Sequence, residues 1–224
     1  MRFSQLFKVF SLSFFVLTAG LAAQAAGSGS DKDAKRLNTV GDYIFEDPKG
    51  VNAITFVLDS PIEPIIGVAT GISGPLHFET DNPMAFAGKI VVAATSLATT
   101  NSKMTEVLHS ADWLDVENHP TLSFQIKGIR TAKKTAPGQC ELVAVGEFTC
   151  KGITKEIVLP NLTVTFIKDG AKKRNRFEGD LIVVRTKFTI TRTDYEINLA
   201  TPFVAVADDI EIDVRMVGYT KKRN

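Results

Sequence analysis

The feature that most constrains this chain is a side-chain alternation of period two that returns in stretch after stretch. Ile54, Phe56 and Leu58 alternate with Thr55, Val57 and Asp59, and Leu122, Phe124 and Ile126 alternate with Thr121, Ser123, Gln125 and Lys127. The runs Leu162–Phe166 and Ile210–Met216 repeat the pattern. Successive side chains of an extended strand point to opposite faces, so these runs make strands with one apolar and one wet face, as in antiparallel sheets. Turn formers separate them: Gly71 and Gly74, Asp81-Asn82-Pro83, Pro137-Gly138, Asp169-Gly170 and Asp208-Asp209. The pattern predicts strands over 41–45, 53–59, 64–72, 74–80, 86–96, 121–130, 140–150, 154–168, 176–190 and 208–219. A single short helix is expected over 101–110, with Asn101 or Ser102 as its N-cap. So many strands with so little helix imply an all-β domain, either a sandwich or a barrel whose closure removes exposed edges. Periodicity leaves both open.

The N-terminus reads differently. Arg2 and Lys8 precede an apolar run from Val9 to Leu17, no acidic residue occurs before Asp31, and small residues end the segment at Ala23-Gln24-Ala25-Ala26. That is the pattern of a secretory signal peptide over 1–25, and the expected location is periplasmic or secreted. The apolar run is shorter than the roughly 20 residues a membrane-spanning helix needs. Residues 26–36, rich in Gly, Ser, Asp and Lys, are expected to be a flexible lead-in, and 37–220 one β domain. Basic and acidic residues number 26 and 25, and the leader removes two of the former, so the remainder is nearly neutral. Such a balance argues against nucleic acid as a partner, because phosphate binding needs a basic surface. A hydrophobic content of 44% is ample for a core.

Cys140 and Cys150 are the only cysteines. On one strand they would lie about 33 Å apart, far beyond the roughly 7 Å a disulfide tolerates between Cα atoms. Pairing would require a hairpin turn near 144–146; without one they are two buried or rim thiols on the same face.

Asp112, Asp115, Glu117 and His119 form the densest group of titratable side chains. They offer oxygen ligands but no second His or Cys to suit zinc, so no metal is expected; their carboxylates instead suit the capping of backbone donors in a turn. None of the three histidines stands beside a Gly-x-Ser-x-Gly elbow or a nucleophilic cysteine pattern, and strand alternation sends Cys150 and Lys151 to opposite faces. No catalytic residue, enzyme activity or cofactor is therefore expected. Lys168, Lys172, Lys173, Arg174 and Arg176 make a basic hairpin tip. Two readings stay open for it: transient contact with anionic headgroups at a membrane surface, or a solvated loop that discourages edge pairing.

The segment Val107-Leu-His-Ser-Ala-Asp-Trp-Leu-Asp-Val-Glu-Asn-His-Pro-Thr-Leu-Ser-Phe124 resembles the signature of the YceI-like family. Three further elements are similar to that family in the expected order: Gly67–Phe78, Gly146–Lys155 and Arg192-Thr-Asp-Tyr-Glu-Ile197. The resemblance implies an eight-stranded antiparallel lipocalin-like barrel that binds a polyisoprenoid or other long-chain lipid. Family members commonly carry histidines near the start and at the end of the first strand; Asp47-Pro-Lys-Gly50 and Asp59 stand there instead, so no ligand or metal contact through those histidines carries over.

If the barrel closes, the expected ligand-binding residues are Phe56, Leu58, Phe78, Trp113, Leu114, Leu122, Phe124, Ile126, Phe148, Leu162, Phe166 and Val214, with Trp113 and Leu114 as anchor or lid. Burial yields about 0.8 kcal/mol per methylene, whereas association costs roughly 4 to 15 kcal/mol, so only a long tail would bind. The expected partner is a long-chain isoprenoid or fatty lipid. The alternative is an exported stress-related or surface interaction scaffold whose barrel is filled by its own side chains. Whether the chain forms a homodimer is left open by the sequence.

Overall fold

The computed structural model describes residues 40–47, 50–173 and 178–220. The expected leader and lead-in over 1–36 lie outside the described residues, as do Arg174 and Arg176 of the basic tip. The strands are β1 (Val40–Ile44), β2 (Ala53–Leu58), β3 (Ile65–Ala69), β4 (Ile72–Ser73), β5 (Pro75–Glu79), β6 (Ala87–Ala93), β7 (Leu97–Thr99), β8 (Thr121–Ala136), β9 (Gln139–Cys150), β10 (Ile153–Ile167), β11 (Leu181–Thr191) and β12 (Asp209–Thr220). Helix α1 spans Ser102–His109, and a helical turn, α2, spans Gly170–Lys173.

The sheet order β1-β5-β6-β8-β9-β10-β11-β12 returns to β1 through the β1–β12 pairing, which closes an antiparallel barrel of eight strands. The other strands continue these courses. β2 follows β1 along β12, β3 follows β5 along β2, and β7 pairs with β3. Cys140 and Cys150 stand at either end of β9, both buried and unpaired, with no turn between them.

The gap expected between the strands 41–45 and 53–59 is present. The first course is broken between Ile44 and Ala53, opposite the β12 stretch where pairing passes from Tyr219 to Arg215. Asn52, 2% exposed, fills the gap with its side chain. Its Nδ2 donates to the carbonyls of Phe45 and Val217, each at 3.1 Å, and its Oδ1 accepts from the Val217 N–H at 2.9 Å. One amide side chain thus replaces the missing strand as hydrogen-bond partner of β12. Asp47 supports it: Oδ2 accepts from the backbone N–H groups of Val51 and Asn52 at 2.9 and 3.1 Å.

The two ends of the barrel differ. One carries the turn at 59–64, the segment 94–120 with α1, the turn at 151–152 and the loop 196–208; we call it the mouth end. The other carries the turns at 80–86, 137–138 and 168–180. The described basic residues of the tip, Lys168, Lys172 and Lys173, lie at this closed end, remote from the mouth, and are exposed. Gly170 and Ala171 are buried, Ala171 packing with Leu181 and Tyr219, while Lys172 and Lys173 are exposed. Since neighbouring Ile182 points into the main core, this small cluster lies on the barrel's outer face.

Asn52→Ala should strand the Phe45 and Val217 backbone groups and lower stability by roughly 2 to 3 kcal/mol. The check is a urea titration, in which the midpoint falls while the slope is kept.

Candidate functional site

Inside the barrel the two halves are built differently. Toward the closed end Phe45, Phe78, Leu142, Val164, Phe166 and Ile182 are buried in one core cluster. Phe86 folds in from the turn at 80–86 and meets Phe78 edge to face at 5.9 Å between ring centres, which makes a floor. Above it lies a chamber of about 150 Å³. Its wall is drawn from inward positions of successive strands, among them Ile54 and Phe56 on β2, Ile90 on β6, Ile126 on β8, Leu162 on β10, Val184 and Phe188 on β11, and Val214 and Met216 on β12.

Two glycines keep this space open. A Cβ on Gly67 would lie 2.1 Å from Cζ of Phe56, and one on Gly146 would lie 2.4 Å from Cζ of Phe124. Each glycine sits at an inward position of a neighbouring strand. Each phenyl ring therefore lies over bare backbone, along the wall, instead of projecting into the lumen.

The mouth is covered by α1 and the turn after it. Asn101 caps the helix, its Oδ1 accepting from the N–H of Lys103 at 2.9 Å and of Met104 at 3.3 Å. The helix is moored to β7 by His109, whose Nε2 donates to the Leu97 carbonyl at 2.7 Å. Leu108 and Leu114 are buried and Trp113 half-buried, and all three line the chamber from above. A smaller recess between Ile65, Thr99, Met104 and Val107 shares Leu108 and Trp113 with the chamber, which marks the seam between cap and wall.

Of the signature's acidic residues, Asp115 shapes this turn with its carboxylate, which holds a side-chain amide and not the backbone donors expected. Asp115 has φ 48°, and both its carboxylate oxygens accept from Asn118 Nδ2 at 3.0 Å. The Asp112 carbonyl accepts from Lys151 Nζ at 3.2 Å and from the Asn198 N–H at 2.7 Å, which ties the turn to the two neighbouring loops. Those loops are organised by Arg192, fully buried, which donates to the carbonyls of Ile197, Asn198 and Ala207. Tyr195 packs edge to face on Phe148 at 5.5 Å.

Of the residues expected from sequence, the structure brings Phe56, Leu58, Trp113, Leu114, Leu122, Phe124, Ile126, Phe148, Leu162 and Val214 together around one chamber. Phe78 and Phe166 do not belong to it. Both point inward but lie below the floor, since alternation reports the face a residue takes and not its height along the barrel axis. The inward side of β11, with Val184, Thr186, Phe188 and Ile190, joins the wall without having been foreseen, as do Cys150, Ile197 and Phe86. Alternation in Leu181–Thr191 carried the signal for β11, interrupted by the hydroxyl of Thr186.

Burial pushes the Cys140 thiol up to about 11 and the Cys150 thiol up to about 12, so neither is a ready nucleophile. His77 lies on the outer face of β5, 2.9 Å from Asp42 and 3.1 Å from Glu79. Hydrogen bonds that the ring donates to those carboxylates, Asp42 first, raise its pKa above the ordinary 6.5. Among the described residues no group of three or more His, Cys, Asp or Glu side chains is arranged to hold a metal ion.

A closed antiparallel barrel with an apolar chamber beneath a helical cap is a lipocalin-like architecture. The sequence profile of the YceI-like domain matches residues 49–218, and the chain belongs to that family. It is 26% identical over 132 residues to a UPF0312 protein of Ectopseudomonas mendocina and 26% identical over 119 residues to one of Azotobacter vinelandii. Those matches cover 57% and 51% of this chain and span 65% and 58% of the two relatives. Among solved structures, BcnA of Burkholderia cenocepacia superposes with a TM-score of 0.58 at 16% identity, covering 74% of this chain and 95% of that one. A polyisoprenoid binding domain from Saccharophagus degradans, implicated in plant cell wall breakdown, gives 0.57 at 11% identity, covering 82% and 100%. These likenesses establish the fold.

Two outcomes check the electrostatics. In the native protein both thiols should resist a disulfide reagent at mildly alkaline pH and both should react once it is unfolded; a fast native reaction would contradict the burial. A raised folded pKa means that His77 contributes its full stabilisation below pH 6.5 and loses it as pH rises through the folded value. Wild type should therefore exceed His77→Gln in denaturation midpoint most at mildly acidic pH, with the gap shrinking on the alkaline side.

Proposed function

We propose that the protein is an exported carrier that holds a long-chain polyisoprenoid or related amphiphile in the chamber, without covalent chemistry. The observation that carries this reading is the composition of the wall. No carboxylate, ammonium, guanidinium or imidazole lines it, so the only guest it rewards is apolar. The alternative of a barrel filled by its own side chains fits the closed half, where Phe78 and Phe166 pack the floor, but not the mouth half. The name of the Saccharophagus degradans neighbour, a polyisoprenoid binding domain, supports the ligand class. Export rests on the leader pattern of residues 1–25.

At about 150 Å³ the chamber suits a segment of such a chain. Two features accommodate the remainder. Phe124, Phe188 and Trp113 are only partly buried, so their rotation widens the upper wall, and the seam beside Leu108 and Trp113 gives the tail a way out under the cap. The basic residues Lys172 and Lys173 lie at the other end and take no part in this route.

Organic extraction of the purified native protein followed by mass spectrometry should release a long-chain lipid in near-stoichiometric amount; its repeated absence would sink the proposal. Phe124→Asp should lower that content at least about tenfold, because an unpaired carboxylate in an apolar wall costs several kcal/mol. Gly67→Ala should act without any charge, by driving the Phe56 ring into the chamber. Both readings require circular dichroism to show an intact sheet.

A further inference from the structure

Large apolar side chains also stand outside the chamber, and at the mouth end they are gathered. Ile62 in the turn at 59–64 and Leu199, Phe203 and Val204 in the loop 196–208 each leave more than half of their surface to solvent. Single exposed apolar residues are ordinary, but a cluster of them marks a surface that meets something. The stretch from Asn198 to Ala207 contains no charged residue at all.

The exposure is built in. The Pro202 carbonyl accepts from the N–H of Ala205 at 2.9 Å and of Val206 at 3.1 Å, which makes Phe203 and Val204 the tip of a tight turn. Buried Arg192 holds the base of that loop by donating to the carbonyls of Asn198 and Thr201, and its guanidinium lies 5.7 Å from the centre of the Phe203 ring. Ser60 joins the two tips. Its Oγ lies 2.8 Å from the carbonyl oxygen of Glu63 in one and of Ala205 in the other, and accepts from the Glu63 N–H at 3.0 Å. Turn and loop are therefore one unit, and neither can fold its apolar tip inward without losing these bonds. The unit also adjoins the way into the chamber. Ile65, three residues after Ile62, lines the recess that takes in Trp113 and half-exposed Val107, and Ile197, two residues before Leu199, lines the chamber itself.

Charge narrows the partner. The turn and the loop carry Asp59, Glu63, Glu196 and Asp208 and no Lys, Arg or His. Nearby cations are already engaged, Lys151 on the carbonyls of Asp112 and Glu196 and Lys155 on Asp194. Apolar tips flanked by carboxylates are repelled by an anionic headgroup layer and fit one whose outermost groups are ammonium ions, as in a zwitterionic phospholipid. Aliphatic tips with one phenyl ring also lack the Trp, Tyr and Arg that anchor protein partners, and suit shallow insertion at the boundary of headgroups and acyl chains.

We infer that the mouth rim is a membrane-docking surface: Ile62, Leu199, Phe203 and Val204 enter the outer layer of a zwitterionic phospholipid bilayer and bring the seam beside Leu108 and Trp113 to the lipid boundary. Lys172 and Lys173, at the closed end, then face away from the bilayer. Docking of this kind goes beyond the carrier reading, because it concerns the outside of the barrel and holds with the chamber empty or full.

The test is flotation with vesicles of phosphatidylcholine or of phosphatidylglycerol, using the form that begins at residue 26 so that the apolar leader does not itself enter the bilayer. Wild type should float with phosphatidylcholine at low and high salt alike, and less with phosphatidylglycerol. Ile62→Glu and Phe203→Glu should each lower the ratio of bound to free protein about tenfold, the scale of one large apolar side chain kept in water. Joint replacement Lys172→Glu and Lys173→Glu should leave it unchanged. Trp113, the only tryptophan, gives a second readout: acyl-brominated phosphatidylcholine should quench its fluorescence in wild type and not in Ile62→Glu. Wild type that floats with neither vesicle overturns docking on lipid and turns the patch toward a protein partner. A preference for phosphatidylglycerol that disappears in the double lysine variant overturns it by placing the contact at the closed end, and so does flotation undiminished in both tip variants. None of these outcomes alters the lipid recovered by extraction, so the carrier reading and this one fail separately.

Discussion

Closure of the barrel along β12 is the constraint on which the rest of the molecule depends. β12 pairs along its length with β11 on one side and, on the other, with β2 and then β1. Without that second ladder β12 and the first course would be free edges, open to pairing with other chains, and no interior would exist to be apolar. The ladder is nonetheless incomplete, because the chain leaves the sheet between Ile44 and Ala53. Asn52 completes it. Its amide has one acceptor and a two-proton donor, enough to satisfy the Val217 N–H and carbonyl on one strand and the Phe45 carbonyl on the other, so the gap stays closed without a strand.

Closure fixes which side chains point inward but leaves open whether they meet. At the closed end they do, and at the mouth end they stop short. A void of 150 Å³ in an apolar core costs roughly 3 to 4 kcal/mol at about 24 cal/mol per Å³. Larger side chains at Ala69 or Gly67 would fill it, and the chain instead places its aromatic rings flat against glycine. The packed floor is what makes this tolerable. Phe45, Phe78, Phe166 and their neighbours supply a complete core in half of the barrel, so the other half need not be filled to keep the sheet closed.

Most strands, helix α1 with its Asn101 cap and the free cysteines were legible in the sequence because each depends on local rules: alternation, capping geometry and rise per residue; the short β7 was not, and β8 runs on to Ala136 where 121–130 was expected. Height along the barrel was not legible either. Phe124 and Phe166 have the same alternation and the same side chain, yet one lines the chamber and the other lies under it; the difference comes from strand register, which is set by partners far away in the chain.

The family's signature residues carry a further physical lesson. Asp115, Lys151 and Arg192 are not themselves among the residues that line the chamber. Instead, Lys151 and Arg192 satisfy backbone groups that irregular loops would otherwise leave unpaired, Lys151 on the carbonyls of Asp112 and Glu196 and Arg192 on those of Ile197, Asn198 and Ala207, while Asp115, at φ 48°, fixes its turn by accepting from the Asn118 amide. A barrel mouth cannot be closed by strands, because strands end there. It has to be closed by loops, and loops hold a fixed shape only when their hydrogen bonds are supplied by side chains. The signature is therefore concentrated where the cap needs it, and by holding Trp113 and Leu114 over the opening it determines the shape of a site to which its polar groups contribute no contact.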